Sequence, residues 1–175
     1  MLTTTTQARP AGRHGAVTQE AFDAFYADRA PALVRQLHAQ TGDLGEAQDC
    51  VQEAFARAWQ RWDRLAQYDV PEAWVRQVAW RLAVSRFRRA GSAARALRRH
   101  GPPPDVPAVS ADRVALVAAL ARVPAAQRRA VVLHHVAGLS VQEVAEETGV
   151  PVGTVKARLS RGRTALAALL SEETS

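Results

Sequence analysis

The chain has 175 residues, with 23 basic and 17 acidic side chains, a formal net charge of +6 and a single cysteine. That length holds one medium domain or two small ones. One cysteine excludes an intrachain disulfide and a multi-cysteine zinc site, no apolar run is long enough to span a bilayer, and residues 1–15 lack the apolar core of an export signal.

A cytoplasmic location follows, with residues 1–18 as a disordered leader and Cys50 as a buried helical residue. The positive charge is almost all arginine; Lys156 is the only lysine. A basic balance asks for an acidic partner, either nucleic acid or an anionic surface, and the distribution of the charge must decide between them.

The first predicted helix covers residues 20–37, with Phe22, Phe25, Tyr26, Leu33 and Leu37 apolar. Pro31 is expected to kink it or split it. Residues 41–45 break the pattern. A second helix is expected from about Glu46 to Trp62, with Val51, Phe55, Trp59 and Trp62 as its apolar stripe. A loop follows over residues 63–70. Pro71 then opens a third helix, where its missing N–H does no harm, and that helix reaches about Ala90. Residues 91–110 are rich in Ala, Arg, Gly and Pro and read as a flexible linker.

Beyond it, residues 113–122 read as a helix. Pro124 restarts the chain into a helix over 125–137, which Gly138 ends. Ser140 and Glu143 form a capping box for a helix over 141–148. Gly149 ends that helix, and Pro151 opens a last one to about Leu170. No strand pattern occurs, so the reading is all-α in two small domains, over residues 19–90 and 111–172.

Two helices joined at Gly149 match a helix-turn-helix unit. Ala145 is small enough for close approach, and Val144, Val150, Val155 and Leu159 would fill the space between the helices. At 100° per residue, Val152, Val155 and Leu159 point one way. Gly153, Thr154, Ala157, Ser160 and Arg161 point roughly opposite, with Lys156, Arg158 and Arg163 on the flanks. Small and polar groups at base edges with cations beside them suit a recognition helix in the major groove.

In the first domain, Glu46, Asp49 and Glu53 share one face of the second helix. The face is either solvated, with Glu53 paired to Arg57 at i+4, or a docking surface for a basic partner helix. From Ala73 to Pro104 no acidic residue occurs, and eight arginines do, among them Arg76, Arg81, Arg88 and Arg89. Trp74, Trp80 and Phe87 are interleaved with them. Cations beside aromatic faces suit single-stranded nucleic acid. The two apolar stripes of that helix (Val75, Val78, Ala79, Leu82; Trp80, Val84, Phe87) equally suit burial in a bundle, and Trp74 is read as core.

Three segments carry a resemblance. Residues 47–59 (AQDCVQEAFARAW) look like sigma region 2.2, and residues 73–79 (AWVRQVA) like the start of the helix bearing regions 2.3 and 2.4. Residues 139–145 (LSVQEVA) with 149–163 (GVPVGTVKARLSRGR) look like region 4.2. Together they resemble the extracytoplasmic-function sigma factors of the sigma-70 family, and most of all their SigE-like actinobacterial subfamily. The resemblance implies a subunit that binds core RNA polymerase at the β′ clamp and β flap, recognises −10 and −35 promoter DNA and melts it. An anti-sigma factor is a further candidate partner, and neither cofactor, metal nor membrane insertion is implied. Glu46, Asp49, Val51, Gln52 and Glu53 would meet the clamp. Tyr68, Arg76, Trp80, Arg81, Arg88 and Arg89 would hold the melting −10 strand, with a base extruded into a pocket. Gly153, Thr154, Lys156, Ala157, Arg158, Ser160, Arg161 and Arg163 would read the −35 duplex. The linker would thread toward the RNA exit path. Many family members carry Asn and Asp where Arg81 and Ser85 stand, so the −10 base preference does not carry over.

The rival reading is a helix-turn-helix regulator that acts without polymerase. An enzyme is disfavoured: His134 and His135 form the only histidine pair, no glutamate metal motif accompanies them, and there is no phosphate loop or nucleophile setting.

Overall fold

The structure is a computed structural model that describes residues 12–93 and 111–173. Among them every regular element is helical. Helices α1 (Gly12–Thr41), α2 (Leu44–Trp59), α3 (Trp62–Leu65) and α4 (Pro71–Ala93) form the first bundle. Helices α5 (Ala111–Arg122), α6 (Ala125–Val131), α7 (Val141–Thr148) and α8 (Val152–Glu173) form the second, with a π-helical turn at Val132–Val136 after α6. The leader's first eleven residues and linker residues 94–110 lie outside the described residues, whereas residues 12–18 already belong to α1.

Several expectations change. Helix α1 runs through Pro31 as one element. The proline is exposed, while Ala30, Leu33 and Leu37 on the opposite face are buried against α2 and α4. Packing of that face offsets the one lost hydrogen bond. Helix α2 stops at Trp59 rather than Trp62, because the chain turns at Gln60 and Arg61 and restarts as α3. The turn lets Trp62 and Leu65 reach the core, so the loop expected at 63–70 is helical over its first three residues. The stripe also changes: Trp62 is buried and Trp59 is 40% exposed.

Aromatic packing closes the first bundle. Phe22 meets Trp59 and Trp62 with ring centroids 5.0 and 5.2 Å apart, and Phe25 stacks on Trp62 at 5.1 Å. Such offset and edge contacts add to the area term of about 25 cal/mol per Å2. On α4, Val75, Ala79 and Leu82 are buried, and Trp74 is partly buried against the same core, as read.

The second bundle centres on Leu120, Val131, Val132, Leu133, Val144, Val155 and Leu159. The π turn presents Val132 and Leu133 inward together; Ala137 N–H donates to the Val132 carbonyl across it. Gly138 follows at φ +74°, a backbone that glycine adopts without penalty. His134 Nδ1 lies 2.6 Å from the Leu139 carbonyl oxygen, so this histidine ties down the loop.

The two bundles touch. Ala39 at the end of α1 belongs to the second core, and Ala121 of α5 lies beside Gly42.

Candidate nucleic-acid interface

The helix-turn-helix forms as its caps dictate. Ser140 Oγ accepts from the Glu143 N–H and the Glu143 carboxylate accepts from the Ser140 N–H, at 3.2 and 2.7 Å. These bonds, the Ser140 side chain's first, hold the Glu143 carboxyl below its usual range. Gly149 takes φ +68° and turns the chain toward α8. The Pro151 carbonyl accepts from Thr154 and Val155 N–H. Val144, Ala145, Val155 and Leu159 are buried between the helices.

Gly153, Lys156, Ser160, Arg161 and Arg163 are exposed on α8, and Thr154, Ala157 and Arg158 are half-buried. This arrangement leaves one continuous polar and cationic face, and none of its cations is in an ion pair among the described residues. Behind it, Gly162 is buried where α8 crosses α6; a Cβ there would stand 2.7 Å from Val131 Cγ2. Sequence reasoning had no signal for this crossing, because Val131 and Gly162 are far apart in the chain.

The candidate −10 residues divide into two groups. Tyr68, Arg81, Arg88 and Arg89 are exposed, with Arg81 donating to Gln77 and Arg89 to Ser85. Arg76 and Trp80 are not open in this structure. Arg76 is only 8% exposed. Its Nε and Nη2 both lie 2.8 Å from Glu147 Oε2 on α7. The Arg129 guanidinium of α6 covers the Trp80 ring, 4.4 Å from its centroid. Burial pushes the Arg129 pKa down, while the Glu147 carboxylate acts to raise it. Neither Arg129 nor Glu147 was picked out from the sequence, since each acquires its role through a contact between domains.

The acidic face of α2 is built as spaced. Asp43 caps the helix by accepting from the Glu46 N–H at 2.9 Å. Glu53 pairs with Arg57 at i+4. Arg86 reaches over from α4, 2.9 Å from Glu53, 3.5 Å from Glu46 and 3.9 Å from Asp49. Hydrogen bonds from Arg57 and then Arg86 hold the Glu53 carboxyl below its usual range. Asp49 and Gln52 are exposed. Val51 is a correction: at 2% exposure it packs in the core, as its place on the apolar stripe requires, and offers no surface to a partner.

Comparison with known proteins extends over both bundles. The family model "Sigma-70 region 2" matches residues 25–93, and "Sigma-70, region 4" matches residues 113–166. The chain is 32% identical to the ECF RNA polymerase sigma factor SigL of Mycobacterium tuberculosis, over 90% of this chain and 94% of that protein. It is 31% identical to the RNA polymerase sigma-E factor of Streptomyces coelicolor, over 86% and 85%. Among solved structures, the sigma factor RpoE from Bartonella quintana, in complex with the anti-sigma factor NepR, superposes with a TM-score of 0.74 and 25% identity, over 87% of this chain and 98% of that one. CnrH, in complex with the cytosolic domain of CnrY, superposes at 0.63, also with 25% identity, over 88% and 90%. With matching domains in matching order and near-complete coverage of its relatives, the chain belongs to the extracytoplasmic-function sigma factors of the sigma-70 family, which direct the initiation of transcription.

Proposed function

We propose that this sigma factor binds core RNA polymerase through the exposed part of the α2 acidic face, centred on Asp49 and Gln52. On that reading α8 reads the −35 duplex, while α4 with the preceding turn at Tyr68 holds the melted −10 strand. The observation that carries the proposal is the underside of α8: Val155 and Leu159 are buried, so the polar face of Thr154, Lys156, Ser160 and Arg161 is delivered in one fixed orientation. Groups at base edges must be held this rigidly to discriminate bases. Exposed arginines beside Tyr68 suit a strand whose phosphates need neutralising and whose bases stack.

The protein acts by binding, in the cytoplasm, and catalyses no reaction itself. Among the described residues no helix is long and apolar enough to cross a membrane, and no cluster of His, Cys, Asp or Glu is arranged to hold a metal ion. The solved relative RpoE, which is in complex with the anti-sigma factor NepR, supports a protein antagonist of that kind here. Run-off transcription on fragments of the native genome tests the reading. Promoter-specific transcripts should need both core polymerase and this chain; tight, sequence-specific duplex binding by the free chain with no transcription would favour a polymerase-independent regulator instead.

A further inference from the structure

Arg86 stands apart in the arginine-rich stretch of α4. Arg81 and Arg89 bond within their own helix, to Gln77 and Ser85. Arg86 instead crosses to α2. Its Nη2 lies 2.9 Å from Glu53 Oε2, and its Nη1 lies 3.5 Å from Glu46 Oε1 and 3.9 Å from Asp49 Oδ2. One guanidinium therefore spans all three carboxylates of the acidic face.

The fold does not need this bridge. Val75, Ala79, Leu82 and Ala83 of α4 share one buried apolar core with Val51, Ala54, Phe55 and Ala58 of α2. That packing already seats the two helices. The Arg86 side chain is 31% exposed and its three partners are more open still. Ion pairs in such a setting add little to stability.

The effect on the surface is larger. Glu46, Asp49 and Glu53 meet two guanidinium groups, Arg57 and Arg86. Those five groups leave a single net negative charge. A carboxylate paired within its own chain meets its cation at high effective concentration, so an incoming cation must displace that partner first. Glu53 is held in this way from both sides, by Arg57 and by Arg86. What remains on offer to a basic partner is mainly Asp49, 69% exposed and approached only at 3.9 Å.

We propose that Arg86 restrains polymerase docking: it takes, within the first bundle, the place that a cation of the partner helix would take on Glu46 and Glu53, and so limits how fast and how tightly the chain engages core enzyme. The proposal rests on the assignment of the α2 acidic face to polymerase. It involves no contact between the two bundles. Arg86 is a positioning residue here, acting through the carboxylates it holds.

The sign of the effect separates this role from a structural one. Loss of a structural pin would weaken binding, whereas loss of a restraint strengthens it. Association of the full chain with immobilised core polymerase is the measurement, taken over a series of salt concentrations. Arg86→Gln should associate about three- to ten-fold faster than wild type at low salt, because charge across an interface acts chiefly on the rate of encounter. The gap should close as salt rises, since the added attraction is screened. Arg86→Lys keeps the charge and should stay within about two-fold of wild type. Arg86→Met keeps the apolar stem without the charge and should show the same gain as Arg86→Gln.

Equal or slower association of Arg86→Gln and Arg86→Met, with circular dichroism melts like that of wild type, would overturn the restraint. If neither variant kept the wild-type melt, Arg86 would be a structural pin and the proposal would fall as well. Asp49→Arg measured alongside distinguishes the underlying assignment. Undiminished core binding by that variant would sink the docking face and the restraint together. Lost binding by Asp49→Arg, with no gain in the Arg86 variants, would sink the restraint alone.

Discussion

Val131 sits directly beneath Gly162, so close that the smallest side chain on the glycine would clash with it at 2.7 Å. A glycine inside a helix ordinarily costs about 1 kcal/mol relative to alanine. Here the sign reverses, since overpacking a tight crossing costs about 1–3 kcal/mol. Gly162→Ala should lower unfolding stability by about 1 kcal/mol on balance. Gly153→Ala, with open space around its Cβ position, should leave stability unchanged or raise it by up to about 1 kcal/mol. Urea unfolding of the two variants checks both signs.

The cap of α7 gives a second prediction. Ser140→Ala removes the acceptor for the Glu143 N–H and should cost about 1 kcal/mol. The partner carboxylate adds a pH dependence. Its folded pKa is depressed by the bonds to Ser140. That contribution is therefore present above the ordinary carboxylate range and lost as pH falls through it. The stability curves of wild type and Glu143→Gln should converge on acidification below about pH 4; curves that diverge there would refute the linkage.

On α8, Arg161 is exposed on the polar face. If it meets a base edge, Arg161→Ala should weaken binding of the polymerase holoenzyme to −35 duplex by about 1–3 kcal/mol. Melting temperature should not move. Electrophoretic mobility shift with matched and mutated −35 duplexes separates loss of base reading from loss of phosphate contact, which would weaken both duplexes alike.

On α2, Asp49 is the most open acid, with a side chain 69% exposed and only a 3.9 Å approach from Arg86. Asp49→Arg should abolish co-purification with core polymerase and leave the circular dichroism melt intact. Glu53→Arg is the less clean variant, because it also places a cation against Arg57 and Arg86.

Cys50 is fully buried. Burial, with a hydrogen bond to Glu46 next, pushes its thiol up to about 12. The native thiol should resist alkylation near pH 8, where the unfolded chain reacts readily. The sign follows: the raised pKa contributes stability below the thiol's ordinary value, and this is lost as pH rises through the range up to about 12. Fast labelling of the native protein would contradict the burial.

Local signals in the sequence carried far. The Ser140–Glu143 box, the turn at Gly149 and the helix over 141–148 stand where capping rules put them, because each depends on neighbours within four residues. The polar face of α8 follows from period alone. What could not be read depends on distant packing. Pro31 sits inside one helix because α2 and α4 hold its flanks. Arg86 belongs to an arginine-rich run, yet it turns to the acids of α2. Arg76 and Trp80 look like open nucleic-acid contacts until Glu147 and Arg129 arrive from the other domain.

The short turn at Gly149 sets α8 upon α7, with Val144, Ala145, Val155 and Leu159 buried between them. None of the outward positions Lys156, Ala157, Ser160 and Arg161 belongs to that buried set. The fold can thus keep its frame while its address is rewritten: exchanging those four side chains alone offers a route to a subunit of equal sturdiness that serves a different set of genes.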